Sequence, residues 1–190
     1  MSDTDIEESK DQLRAMAAGR GDGINLDTKF HWIIDGLKQP VPFFEHLREL
    51  LPPDSVLYVE GTNIAPDVAA FYSSHRARNA VPVVRDTISP VPDIYHFTFT
   101  DEVCAGLRQF ARRHPIAKMF DHIKAYRSEH LLFTFHDAFD GWLRISDHIP
   151  EEAVARFCQA LGASSRPEET KKRDPERLRE LLWHSSIPIR

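Results

Sequence analysis

Glycine is scarce in this chain, eight residues in 190. A dinucleotide or P-loop cradle needs several glycines at fixed spacing, and Gly61 stands alone between an apolar run and a helical segment, so neither cradle is present. Cysteine is scarcer still, with only Cys104 and Cys158. Neither has a CxxC partner or an adjacent histidine, so both read as small buried hydrophobes and a disulfide framework is excluded. No apolar run approaches membrane length and no charged-then-apolar leader is seen, which makes a reducing cytoplasm the expected location and a membrane an unexpected partner. Positive charge is not in excess, since the formal net charge is -5. A chain without a polybasic footprint is not expected to grip nucleic acid. A G-x-S-x-G elbow and an H-E-x-x-H pair are also missing, which removes the two most legible hydrolase signatures.

What is present is alternation. Phe30, Trp32 and Ile34 alternate with His31 and Ile33, Tyr95, Phe97 and Phe99 with His96 and Thr98, and Leu131, Phe133 and Phe135 with Leu132, Thr134 and His136, each a two-residue period that predicts a strand. Val56–Val59 is a shorter, continuous apolar strand. Leu143 and Ile145 resume the last alternation after the turn-rich segment His136–Gly141, giving a hairpin. The residues from Lys118 to Tyr126 are read as a further strand, because a tight turn at Arg127-Ser128-Glu129 then yields a meander with no orphan edge. Helical faces recur at Phe43, Phe44, Leu47, Leu50 and Leu51, at Val68, Phe71 and Tyr72, at Val103, Leu107 and Phe110, and at Val154, Phe157, Cys158 and Leu161. Proline or an acidic pair opens these helices, and Pro52, Pro115 or Gly162 closes three of them. The segment from Ser73 to Pro92 carries no period and reads as a crossing loop or flap.

These elements predict a single α+β domain, a mainly antiparallel sheet of five to seven strands with helices packed on one face. The expected organisation is a flexible acidic tail over 1–24, the α+β domain over 25–162, and a linker with a C-terminal docking helix over 163–190. Leu178, Leu181 and Leu182 share a face of that last helix, which is too short to stand alone. No internal repeat interrupts this scheme.

Three short motifs sit in corresponding places of the pattern: Glu60-Gly61 at a strand end, Pro90-Val91-Pro92 before a strand, and His136-Asp137-Ala138-Phe139 before the final helix. Together they resemble a family of small bacterial proteins with no established activity, over about the middle two-thirds of the chain. The resemblance implies a fold and no catalytic residue.

If odd positions of the later strands face the helices, the opposite wall holds His96, Thr98, His122, Lys124, Tyr126, Thr134, His136, Trp142 and Arg144. Aromatic, indole and guanidinium groups of this kind carry interface hot spots. The expected function is therefore non-catalytic recognition of another protein or of a second copy, as in small bacterial accessory, defence-associated or toxin-neutralising proteins. Tyr126, His122, His136, Trp142, Arg144, Leu178 and Leu182 are its binding residues, and no cofactor is expected. The alternative is a metal-dependent hydrolase with His136, Asp137, Asp140, Asp147 and His148 converging at a strand end, imidazoles as ligands and a carboxylate as ligand or base.

Overall fold

The computed structural model describes residues 23–26, 28 and 30–169. Strands β1 (Phe30–Asp35), β2 (Val56–Gly61), β3 (Asp93–Thr98), β4 (His122–Arg127), β5 (His130–His136), β6 (Trp142–Ser146) and β7 (Ser164–Glu169) form one sheet in the order β3-β2-β4-β5-β6-β1-β7. Every pairing is antiparallel. Helices α1 (Pro40–Leu50), α2 (Pro66–Ser74), α3 (Asp101–Arg113) and α4 (Glu151–Leu161) follow β1, β2, β3 and β6. The chain is a single α+β domain of the kind its alternation predicts. Residues 1–22 of the expected tail and the expected C-terminal helix lie outside the described residues, and with them Leu178 and Leu182.

Periodicity explains which face the helices take. Trp32, Ile34, Leu57, Val59, Phe97, Ile123, Ala125, Phe133, Phe135, Leu143 and Ile145 all join one buried cluster with Phe43, Phe44 and Leu47 of α1, Val103 and Leu107 of α3, and Val154 and Phe157 of α4. At its centre Phe43 is fully buried, and its ring lies 5.3–6.3 Å from those of Phe44, Phe133, Phe135, Phe139 and Phe157, the separations at which aromatic edges meet faces. Helix α3 is fixed at both ends: Val103 N–H donates to the Thr100 hydroxyl at 3.2 Å, Asp101 and Glu102 occupy the first turn, and Arg112 and Arg113 occupy the last. Each charge thus opposes the partial charge of its helix end.

The strand expected from Lys118 begins only at His122, after a 3-10 turn over Ile116–Lys118 and a short loop, and two further segments depart from the sequence expectation. Residues Ser164–Glu169 read as linker by composition but form an edge strand paired with β1 from Asp35↔Ser164 to Phe30↔Glu169. The left-handed Gly162, φ 62°, reverses the chain directly out of α4, and the strand needs only its backbone to close the edge. Pro167 is tolerated because an outermost strand need not donate on both sides. The second departure is a bulge. Ala125 pairs with Phe133 but Tyr126 pairs with Leu131, so Leu132 is the extra residue. Leu132 consequently joins Phe133 and Phe135 in the main core, while Leu131 turns to the opposite wall beside Tyr58, Tyr126 and Val83.

The wall away from the helices can be read row by row from the pairing. The row nearest one end of the sheet holds Ile94, Glu60 and His122 on β3, β2 and β4 and the pair His136 and Trp142 on β5 and β6; the next runs His96, Tyr58, Lys124, Thr134, Arg144, Ile33 and Arg166. This wall, read from the sequence as a binding face, is largely buried: besides Tyr58, Lys124 and Tyr126, the outward residues Thr134, Ile33 and Ser146 are enclosed. The irregular segment 75–90 crosses β3, β2 and β4, joined by Ala77 N–H to His96 O at 2.9 Å, Val81 N–H to the Tyr126 hydroxyl at 3.3 Å and Lys124 Nζ to Val84 O at 2.6 Å.

Glu60 is the anchor of that crossing. Its fully buried carboxylate accepts from Tyr58 Oη at 2.9 Å, Asp86 N at 2.8 Å and Thr87 N at 2.7 Å. Lys124 Nζ stands 3.9 Å from Glu60 and 3.1 Å from Asp86. A buried carboxylate is tolerated here because its lone pairs meet convergent donors and a cation. Those donors belong to residues 86 and 87, so the same bonds that satisfy Glu60 fasten the segment to the sheet.

Candidate functional site

The end of the sheet where β2 and β5 finish and β4 and β6 begin gathers the polar chemistry. His122 and His136 flank the last β4–β5 pair, Ile123↔Phe135, and β5–β6 pairing places His136 opposite Trp142. The His122 and His136 rings lie 4.4 Å apart, His136 stacks on Trp142 at 5.1 Å and 9°, and the Arg144 guanidinium lies 4.2 Å from the centre of the Trp142 ring. The result is a continuous stack from a buried imidazole to a surface cation.

The turn between β5 and β6 aims its carboxylate back at this stack. Asp140 N–H and Gly141 N–H both donate to the Asp137 carbonyl, at 2.9 and 2.6 Å. Asp137 and Phe139 take left-handed φ values of 43° and 72°, a costly conformation for a phenylalanine that is offset by seating its ring 5.5 Å from Phe43 and 5.0 Å from Phe135. Gly141 is required because a Cβ there would collide with the His136 carbonyl oxygen. Held in this way, Asp137 N–H donates to His122 Nδ1 at 2.9 Å, and the Asp137 carboxylate lies 3.1 Å from His136 Nδ1 and 3.7 Å from His122 Nδ1. With Nδ1 accepting, the neutral His122 ring carries its proton on Nε2. Burial pushes the His122 imidazole below its ordinary range, and the neighbouring His136 pushes the same way against the opposing influence of Glu60.

Beside this cluster opens a cleft of about 520 Å³. Asp121, His122, Asp137 and Asp140 supply its titratable wall, Thr62, Thr87 and Ser89 its hydroxyls, and Ile116 and Phe120 its apolar floor. The Asp121 carboxylate accepts from both the N–H and the hydroxyl of Thr62 at 2.8 Å, which fixes the loop after β2. Gly61 lets that loop pass, because a Cβ there would meet Ile64 Cγ1 at 2.5 Å. Among the described residues the buried Thr87 hydroxyl oxygen has no hydrogen-bond partner. A second cleft of about 610 Å³ lies at the other end of the sheet, between Leu50–Pro52, Arg127–Ser128, His130 and His148–Pro150.

The predicted residues divide between these places. Tyr126 and His122 are 1% and 5% exposed, so neither is offered to a partner on an open wall: Tyr126 is covered by the crossing segment and lies 3.0 Å from His96 Nδ1, and His122 is enclosed by the turn. Trp142, His136 and Arg144 keep about a third of their side-chain surface. Of the alternative metal residues, His136 and Asp137 come together and Asp140 lines the same cleft. Asp147 and His148 follow the far end of β6, about 13 Å away at 3.3 Å per residue, where the His148 ring sits 4.5 Å from that of His130. The residue missing from that set is His122, and its signal was the symmetry of His122 and His136 about the Ser128-Glu129 turn. The two cysteines are buried and reduced; burial raises both thiols, and Cys104 Sγ donates to Phe44 O at 2.7 Å.

No described helix is long and apolar enough to cross a membrane. Comparison of the chain with protein-family models, with curated proteins and with solved structures finds no match, so the case for function rests on this geometry.

Proposed function

We propose that this chain is a non-catalytic recognition module that binds another protein through the exposed margin of the sheet's outer wall formed by Trp142, Arg144 and β7, centred on Trp142. The observation that carries the reading is the packed but accessible indole: Trp142 is 37% exposed and lies against both the His136 ring and the Arg144 guanidinium. Tryptophan and arginine are the residues most enriched among interface hot spots, and a side chain already fixed in one rotamer loses little further entropy on binding. Around it, Arg144, Arg166 and Glu168 form an ion-paired rim at 3.7–3.8 Å. A polar rim about an aromatic anchor is the usual anatomy of a protein-binding patch. The -5 net charge favours encounter with a basic partner.

The test is a photo-reactive phenylalanine analogue placed at Trp142 and, as a control, at Arg112 on the helical layer. A discrete protein adduct from position 142 alone is expected, with light scattering deciding whether it is a second copy. Equal adduct patterns from both positions, or none from 142, would overturn the proposal.

A further inference from the structure

We propose that His122, His136 and Asp137 form a three-ligand site for a divalent transition metal of the zinc class, with its remaining coordination position facing the cleft. This inference is independent of the recognition reading, since it requires no partner. One ligand atom from each of the three residues lies within 4.8 Å of the others. Metal–ligand bonds of about 2.0–2.2 Å set the edge of a tetrahedron at about 3.3 Å. Asp137 lies 3.1 Å from His136 Nδ1 through Oδ2 and 3.7 Å from His122 Nδ1 through Oδ1, so each imidazole stands near that distance from one oxygen of the carboxylate, and a modest turn of the carboxylate brings one oxygen to both. Two imidazoles and one carboxylate suit zinc or cobalt rather than calcium or magnesium, which prefer all-oxygen shells.

The surroundings favour a cation as well. Asp121 and Asp140 line the same cleft, and neither pairs with a cationic side chain among the described residues. Glu60, next to His122 in the cross-strand row, adds a buried carboxylate behind the site. The ligands sit on rigid elements, two on adjacent strands and the third at the first position of a turn locked by Gly141. Occupation has one structural consequence. The His122 Nδ1 lone pair is held by Asp137 N–H, so coordination through Nδ1 releases that hydrogen bond while the turn stays closed through the Asp137 carbonyl.

The experiment uses full-length, untagged protein stripped with chelator and titrated with Zn²⁺ by calorimetry and with Co²⁺ by visible absorption. Stoichiometric binding with the intense visible bands of low-coordinate cobalt is expected. His136→Gln and Asp137→Asn should each weaken affinity by at least about tenfold, and His148→Gln, in the histidine pair at the opposite end of the sheet, should leave it unchanged. His136 is a third exposed, so its variant should fold, which circular dichroism checks. In wild type the Asp137 amide resonance should move on Zn²⁺ addition and Cu²⁺ should quench Trp142, with both effects lost in His136→Gln. No stoichiometric binding to wild type, or loss of binding in His148→Gln and not in His136→Gln, would overturn the proposal.

Discussion

Replacing Glu60 by glutamine changes one atom and should loosen half of the sheet's outer wall. Its carboxylate is fully buried and receives Asp86 N and Tyr58 Oη on one oxygen and Thr87 N on the other. An amide has a single acceptor oxygen, so its NH₂ must confront at least one of these donors. A buried donor left unsatisfied costs about 1–3 kcal/mol, and the surviving bonds lose roughly half their strength with the charge. Lys124 loses the more deeply buried of its two counter-charges, the one 3.9 Å away, while Asp86 at 3.1 Å still faces it. Together these place the destabilisation near 3 kcal/mol. With a urea slope of about 2 kcal/mol/M, the unfolding midpoint should fall by about 1.5 M. Because the lost bonds hold segment 75–90, trypsin should also cut wild-type protein slowly and the variant rapidly at Arg76, Arg78 or Arg85 under native conditions. A change below about 0.5 kcal/mol, with unaltered cleavage, would refute the assignment of Glu60 as the anchor.

Further outcomes follow from other parts of the fold. Phe43→Ala removes the ring against which five others pack and should cost about 3–5 kcal/mol in the same urea assay. Gly141→Ala forces a Cβ onto the His136 carbonyl and should cost about 1–3 kcal/mol, with loss of protection at the Asp137 amide measured by hydrogen exchange. The His31 and His96 imidazoles are lowered chiefly by burial, His31 also by Arg144 and Arg166 against the opposing Glu168, and His96 also by Arg76. Their folded values lie below the unfolded value near 6.5, so the unfolded chain takes up protons first: stability should be full above that pH and decline as pH falls through it, by at most about 1.4 kcal/mol per pH unit for each histidine. A melting temperature that is flat or rises from pH 7 to about 5 would contradict this.

How much of this could be read from the chain depends on whether a segment is shaped by its own period or by distant bonds. The strands and helices obey local patterning, and the inward-facing residues from Leu57 to Ile145 were legible because their alternation has to match the pleat. The covering of the wall was not, because Ser73–Pro92 has no period and its course is set by Glu60 and Lys124, residues on other strands whose charge would ordinarily mark them as solvent-facing. Strand β7 escaped for a related reason: an edge needs backbone and not hydrophobic side chains, so Ser164–Glu169 looked like a linker. The Leu131–Leu132 bulge is a third case, since two adjacent leucines fit either face and only the pairing of Tyr126 decides which turns outward. Within the candidate site, His136 and Asp137 were visible as a motif, whereas His122 joined them through hairpin register.

The claim beneath these readings is that the outer wall is sealed over β2 and β4 and exposed at Trp142, the first residue of β6. Hydroxyl-radical footprinting of the native protein, read by mass spectrometry, tests it most directly. Trp142 should be oxidised readily while Tyr58 and Tyr126, both 1% exposed, stay protected until the chain unfolds. Oxidation of Tyr126 at the rate of Trp142, or protection of Trp142 in the isolated monomer, would contradict the account.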